Sequence, residues 1–369
     1  MTSVLRAARD RARERAPRPL SRRRGAGHGL PWLLPALALA LVAVLLAGAV
    51  MGAYAVAPTD VVRALLHGLG VPGVDSLDDS TAQQVLWQVR FPRLALAAVV
   101  GAALGVAGAV MQGVFTNPLA EPGTVGVSAG AAVGAVLAIV TGATALGSWV
   151  LPVAAFTAGV ATTAMVFRFS ESEGRVDTVT LLLTGIGANA LAGAVIGWCT
   201  FVSDDAQLRS ITFWSLGSVS MATWSTVAVV VPFALVGVLL APRLARPLDL
   251  LALGDRSASH LGVDVARTRR YAVTLVGLLT AAAVAVTGII GFVGLVVPHV
   301  VRLVAGPQHA RLLPASALVG AALLVLADVV ARTVAAPAEV PLGVVTALLG
   351  APVFLWLVRR ARTRTGGWA

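Results

Sequence analysis

Tyr271–Val301, YAVTLVGLLTAAAVAVTGIIGFVGLVVPHVV, runs for 31 positions without an Asp, Glu, Lys or Arg. At a helical rise of about 1.5 Å per residue it overshoots a hydrocarbon core about 30 Å thick. Gly288, Gly291 and Gly294 cluster where the surplus begins. The stretch therefore reads as two membrane helices. Tyr271–Thr287 crosses, and a shorter Ile289–Val301 returns through Pro298 and His299. One tilted helix with a re-entrant piece is the alternative.

Similar apolar runs recur on both sides: Trp32–Val56, Leu94–Met111, Val125–Val140, Leu146–Phe167, Val179–Phe201, Thr223–Leu240, Leu313–Val330 and Gly343–Val358. The expected fold is an all-α polytopic membrane protein with ten transmembrane helices. Composition agrees: 57% of residues are hydrophobic and 12% charged, against about 25% charged in soluble domains. Strands of a membrane barrel would alternate with period two, and these runs do not. The 38 glycines suit helices that approach closely in lipid. Between the runs, Thr59–Leu69 reads as a short helix, Asp75–Ser80 as an acidic turn, and SDDAQLRS (203–210) as a polar stretch before Trp214 and Trp224 at an interface. Gly-rich helix followed by a proline break occurs at 101–122 and again at 288–307, a faint internal echo.

All 28 basic residues are arginine, and the formal charge is +11. They sit in short segments between apolar runs, so the charge does not describe a nucleic-acid surface. With ten spans, both termini share a side that carries 23 arginines, leaving Arg63, Arg90, Arg93, Arg209 and Arg332 opposite. The positive-inside rule makes the richer side cytoplasmic. Residues 1–29 then form an arginine-rich cytoplasmic tail, 30–360 the membrane domain, and 361–369 a cytoplasmic C-terminal tail.

Pro242–Arg270, PRLARPLDLLALGDRSASHLGVDVARTRR, is the longest polar interruption in the second half and faces the cytoplasm in this topology. Leu248–Leu253 reads as a short apolar helix ended by Gly254. Asp255 is placed to cap a second one through Ala258 and His260, closed by Gly262. Two ordered helices exceed what a connector needs, and suggest a docking surface for a soluble partner.

Several chemistries lack their ingredients. With no lysine, the chain has no phosphate-binding P-loop. Its five histidines show no metal-ligand spacing, and Cys199 stands alone in an apolar run. Ion coupling needs ionisable groups at membrane depth. The sequence offers Glu121 in a break expected near the cytoplasmic face, Asp328 paired with Arg332 at i,i+4, and Glu339. What remains is a permease worked from outside the chain. An ion-coupled secondary transporter and a scaffold or receptor that moves nothing are the rivals.

Five segments then carry a resemblance: VRFPRLALAAVVGAALGVAGAVMQGVFTNPLAEPGTVGVSAGA (Val89–Ala131), LDLLALGDRSASHLGVDV (Leu248–Val265), GIIGFVGLVVPHVVRLVAGPQHARLLPASALVGA (Gly288–Ala321), ADVVAR (Ala327–Arg332) and EVPLGVVTALLGAPVFLWLVRR (Glu339–Arg360). In this order they resemble the permease subunit of bacterial ABC importers for ferric siderophores, haem and vitamin B12, a FecCD/BtuC-like, type II importer. The resemblance implies a pathway shared with a second permease subunit, identical or homologous. It implies two ATP-binding cassette subunits that hold ATP and Mg²⁺, and a periplasmic or lipoprotein substrate-binding protein. This chain would bind no cofactor or metal and would sit in the bacterial inner membrane. A ferric siderophore is the expected cargo, with haem or cobalamin the alternative.

The resemblance also assigns roles. Leu248, Leu250, Leu251, Leu253, Gly254, Asp255, Ala258, Leu261 and Gly262 fall in the region that couples to the cassette. Arg63 and Arg332 are the candidates for binding-protein docking. Arg90 and Arg93 either join them or anchor their helix. Gln112, Asn117, Pro118, Leu119, Pro298, His299, Arg302, Asp328, Glu339 and Pro341 belong to architectural motifs, with His299 expected to hydrogen-bond a neighbouring loop. Gly185, Asn189 and Thr346 are candidates to line the pathway.

Overall fold

The computed structural model describes residues 31–172 and 175–364. Its helices are α1 (Leu33–Val50), α2 (Pro58–Gly68), α3 (Ser80–Gln84), α4 (Phe91–Val114), α5 (Val127–Val140), α6 (Val150–Ser170), α7 (Thr178–Val202), α8 (Asp205–Leu216), α9 (Trp224–Leu240), α10 (Ala245–Leu251), α11 (Asp255–His260), α12 (Val265–Thr287), α13 (Val293–Ala305), α14 (His309–Thr333) and α15 (Leu342–Arg364). Two strands, β1 (Glu171–Ser172) and β2 (Arg175–Val176), pair antiparallel between α6 and α7. Seven helical stretches among the described residues are long and apolar enough to cross a membrane. Three shorter apolar helices accompany them, at Val127–Val140, Val293–Ala305 and Leu342–Trp356. The expected N-terminal tail and residues 365–369 lie outside the described residues. Residues 361–364, expected in the C-terminal tail, continue α15.

The uncharged stretch at 271–301 does reverse. α12 ends at Thr287, and α13 starts after Phe292, a non-glycine residue in the left-handed region (φ 67°). Several boundaries moved because caps and breaks outrank hydropathy. Asp264 accepts the Arg267 amide at 2.9 Å, so α12 begins six residues before Tyr271 and takes in three arginines. Asp79, expected in a turn, caps α3 by accepting from the amides of Thr81 and Ala82. The Tyr54 hydroxyl on Asp79 holds that carboxyl below the usual range. α3 continues through a π-helical turn, Val85–Arg90, into α4. The wider turn accommodates Pro92, which lacks the amide hydrogen a regular helix would use. α8 was not expected at all. It opens with a capping box in which Asp204 and Gln207 satisfy each other's amides.

α4 is the central post. Its residues from Ala103 to Val114 are all buried, and glycines set how closely its neighbours lie. A Cβ on Gly101 would stand 2.2 Å from the Gly320 carbonyl oxygen of α14, and one on Gly105 2.3 Å from that of Ser316. A Cβ on Gly108 would stand 1.8 Å from the Gly294 carbonyl oxygen of α13. That carbonyl is the one Pro298, four residues on, cannot bond within its own helix. The two stretches of the internal echo therefore pack against each other here. A second junction joins three reversals. Ser218 donates to Thr287 O at 2.7 Å, Leu342 donates to Gly217 O at 2.9 Å, and a Cβ on Gly343 would meet both Leu216 O and Ile289 O. At the periphery, α7 leaves Leu183, Ile186, Leu191, Trp198 and Phe201 exposed, and its Gly187, Gly193 and Gly197 face open space.

Gly108→Ala is expected to destabilise the folded chain by about 3 kcal/mol, because a methyl group must displace backbone. Gly197→Ala, on the open face of α7, should change stability by less than about 1 kcal/mol. Thermal unfolding of both variants in detergent checks the contrast, and equal shifts would contradict the close packing of α4.

Candidate functional site

The Pro242–Arg270 loop folds as α10 and α11, and each is fastened to a different long helix. Leu248 and Leu251 of α10 and Ala258 of α11 point inward and are buried. Leu248 packs in the notch left by Gly113 at the end of α4, where a Cβ would come within 3.2 Å of it. Asp249 accepts from the backbone amide of His309 at 3.0 Å and meets its Nδ1 at 2.6 Å. The carboxylate thereby caps the first turn of α14 from another element, where the helix dipole favours a negative charge. This partnership fixes the proton of His309 on Nδ1 and turns Nε2 toward Gly113.

Asp255 does not cap α11 as the sequence suggested. Gly254 holds the cap position at φ 94° with no side-chain hydrogen bond. The Asp255 carboxylate instead takes both terminal nitrogens of Arg269 at 2.9 Å. Arg269 also donates to Val176 O at 2.9 Å, so one guanidinium joins α11, α12 and β2. Next to it, the Thr180 hydroxyl and amide hold the Asp177 carboxyl below the usual range. Of the nine residues assigned to this region, Leu253, Gly254, Asp255, Leu261 and Gly262 are exposed and Leu250 is half-buried. The arrangement is a relief of exposed residues on a bound base, and it can pass a push to α12 and α14.

Above the loop, the break after α4 turns back into the protein. Asn117 Oδ1 accepts from the Leu119 amide at 2.9 Å, forming a side-chain turn, with Pro118 and Leu119 exposed beside it. Pro122 reaches the level of Gly294, and Glu121 Oε1 accepts from the Phe292 amide at 3.3 Å. Glu121 therefore sits at the start of α13, about two helical turns deeper than the end of α4, and not at the face where the sequence put it. Gln112 ties α4 to α13, donating to Leu295 O at 3.0 Å and accepting from Arg302 at 2.9 Å. His299 makes no such bond among the described residues. The histidine that does hold a loop is His309, ten positions on. The signal in the sequence that points to it is the helix start after Gly306-Pro307.

At the opposite end of the bundle lies a buried charge cluster. Arg93 Nε meets Asp328 at 2.8 Å, and its two terminal nitrogens meet Glu339 at 2.8 and 3.0 Å. Arg332 faces Asp328 at 3.6 Å, an ion pair too long for a hydrogen bond. It donates to Gly48 O at 2.5 Å. Arg90 donates to the carbonyls of Ala49, Val50 and Tyr54, so two arginines close the C-terminal end of α1. The Arg332 side chain, expected with Arg63 to dock a binding protein, is only 8% exposed and turned toward Gly48 and Asp328. Arg63 is exposed, 3.5 Å from Asp78. Glu339 and Pro341 also line a hollow of about 850 Å³, beside Ser148, Trp214, Ser218 and Thr287.

Two pathway candidates are packed away within this chain. Gly185 is buried with Thr124 O against its Cα, and Thr346 is buried and donates to Gly343 O. Asn189 is half-buried and donates to Gly123 O at 3.3 Å, linking α7 to the break. Among the described residues, no group of three or more His, Cys, Asp or Glu is placed to hold a metal ion.

The sequence pattern of the FecCD transport family matches residues 39–360. The hemin transport system permease protein HmuU of Yersinia pestis is 45% identical over 79% of this chain and 89% of its own length. The cobalamin import system permease protein BtuC of Halobacterium salinarum is 44% identical over 77% of this chain and 76% of its own. A solved metal-chelate type ABC transporter in an inward-facing conformation superposes with a TM-score of 0.79 at 36% identity, over 89% of this chain and 99% of that one.

Asp328→Asn should destabilise the fold by about 3–5 kcal/mol, since it leaves two buried guanidiniums without their shared counter-charge. Glu339→Gln, at a half-exposed carboxylate, should cost less than about 1 kcal/mol. Melting temperatures of the two variants test the ranking. A larger loss at Glu339 would overturn it.

Proposed function

The chain belongs to the FecCD transport family, and on that premise we propose that it forms half of a two-subunit pathway importing a metal-bearing tetrapyrrole, haem or cobalamin. The coarser statement needs no proposal: it is a multi-pass membrane protein and the permease subunit of a metal-chelate type ABC importer. It is not itself an enzyme. ATP hydrolysis belongs to a separate cassette subunit, and a binding protein completes the importer.

The relatives support the alternative cargo better than the leading expectation from sequence. A ferric siderophore was the leading reading, yet the relatives reported above carry haem and cobalamin in their names. In the proposed assembly ten helices span the membrane with both termini cytoplasmic. α10 and α11 seat on the cassette, and Arg63 steers the binding protein, a role in which rim charges govern encounter more than affinity. The unpartnered face of α7 meets the second permease subunit.

The observation that carries this reading is the contrast within α10–α11. Leu248, Leu251 and Ala258 are spent on holding the loop, while Leu253 and Leu261 stand 62% and 54% exposed beside glycines in open space. Isolated apolar side chains on a braced, polar loop suit insertion into a partner's groove. An ion-coupled carrier is less well supported, because the buried carboxylate of Asp328 is already committed to two arginines.

Leu253→Asp combined with Leu261→Asp should leave membrane insertion intact and reduce cassette co-purification and uptake by at least about thirtyfold, the scale of losing a hot spot of about 2 kcal/mol. Undiminished uptake with wild-type co-purification would refute the docking role. In a deletion strain, labelled haemin, cobalamin and a ferric siderophore distinguish the cargo. Rescue of siderophore uptake alone would reverse the assignment.

A further inference from the structure

The exposed edge of α12 grades from charge to hydroxyl to hydrocarbon over three turns. Arg267, Arg270, Tyr271, Thr274 and Leu278 are all exposed and follow one another at helical spacing along one face. Arg267 has no side-chain partner among the described residues, nor do the hydroxyls of Tyr271 and Thr274. Arg270 is paired once, with Glu171 at 2.5 Å.

A hollow lies on either side of this stripe, and Arg270 and Thr274 line both. Against α6 the hollow is about 390 Å³. Its roof is the contact of Gly277 with Thr163, where a Cβ would come within 2.9 Å. Below that contact the two helices part, leaving Val160, Ala164, Phe167, Val273 and Leu278 as walls and Arg168 at the open end. The Thr163 hydroxyl is satisfied by Gly159 O at 2.9 Å, and Glu171, the acid that also lines this hollow, is paired with Arg270. On the other side, a hollow of about 640 Å³ runs between α12 and the start of the loop, with Arg243 opposite Arg267. Arg243 and Arg168 also lack partners among the described residues. The acid lining this side, Asp264, accepts from the Arg267 amide through one of its two oxygens.

We propose that this edge binds an anionic phospholipid of the inner leaflet, its phosphate between Arg243 and Arg267 and an acyl chain in the hollow between α6 and α12. The polarity sequence along α12 matches that of one leaflet: phosphate, ester, hydrocarbon. Basic hollows between helices on the cytoplasmic side recognise such headgroups, and Arg offers a fork that fits phosphate. The leaflet rests on the topology proposed above; the site itself does not. A lipid there would brace the junction from which the coupling loop departs, since Arg243 precedes α10 and Arg267 opens α12.

The test uses the purified full-length chain with whatever subunits accompany it, titrated with phosphatidylglycerol and with phosphatidylcholine of the same chains and read by native mass spectrometry. Phosphatidylglycerol should be retained preferentially. Each arginine near an anionic lipid is worth about fivefold, so Arg243→Gln with Arg267→Gln should weaken retention about thirtyfold and abolish the preference. Arg246→Gln, exposed in the same loop but outside both hollows, should change it less than about twofold. Ala164→Phe, which fills the apolar hollow, should weaken both lipids alike. Glycerol 3-phosphate should not compete at matched concentration. Four outcomes would each overturn the site: equal retention of the two lipids, an equal loss at Arg246, competition by glycerol 3-phosphate, or loss of a co-purifying cassette with lipid retention unchanged. None depends on transport, so a failed uptake assay leaves this result standing.

Discussion

Backbone touching backbone is the constraint on which this bundle rests. In lipid, apolar side chains gain little by meeting each other, because the surrounding chains are equally apolar. Helices adhere where they come close enough for dispersion and weak Cα–H···O contacts to accumulate. The contacts of α4 at Gly101, Gly105 and Gly108 are of that kind, each against a carbonyl oxygen of α13 or α14. With this face of α4 committed to α13 and α14, the short α13 is held at a fixed height, and that height decides where the break at 117–126 can enter. Glu121 then meets the Phe292 amide, and Asn189 meets Gly123. The polar contacts near the middle of the protein follow from glycine spacing.

Polar links do a second job, joining elements that glycines cannot. At one end, Arg90, Arg93, Arg332, Asp328 and Glu339 unite α1, α4, α14 and the turn before α15. A buried ion pair contributes little net stability against an apolar alternative, but breaking it is expensive. Its value here is positional: Arg93 admits one placement of α14 and of the turn before α15. At the other end, Asp249–His309 and Asp255–Arg269 fasten the loop helices to α14 and α12.

Most of the architecture was legible from hydropathy, because a membrane helix announces itself in composition without help from tertiary contacts. The reversal at Gly288–Gly294 was readable for the same reason. What escaped depended on polar side chains whose partners lie far along the chain. Asp255 looks like a helix cap locally, and only its distance from Arg269 in space shows that it is not one. His299 stands in the more suggestive motif, while His309 has the carboxylate. Arg332 was assigned to an aqueous face because it follows an apolar run, yet Gly48 and Asp328 turn it inward. α8 is a different kind of miss. Its capping box, Asp204 and Gln207, is written in the sequence, but a segment too polar to span gives no hydropathy signal.

The two sets of ion pairs differ in a way that bears on how motion could pass through the chain. Asp328 is fully buried, and the Arg93 and Arg332 side chains nearly so. The loop carboxylates are open to water, Asp255 at 53% and Asp249 at 37%. Water competes for an exposed carboxylate and screens its charge, but the partners Arg269 and His309 are only 11% and 7% exposed, so opening these pairs would strand a buried group. The end that carries α10 and α11 is therefore fastened through two partly shielded pairs, and the cluster around Asp328 fixes the far end of α14. Of the two long helices that hold the loop, only α14 is also held by that cluster; α12 is tied at its far end where Thr287 O accepts from the Ser218 amide. The break at 117–126 lies between the two ends of the bundle, hydrogen-bonded to α7 and α13 at 3.3 Å each and packed closely on both, Thr124 O against Gly185 and Pro122 against Gly294. Packing that close leaves the break no placement independent of α7 and α13.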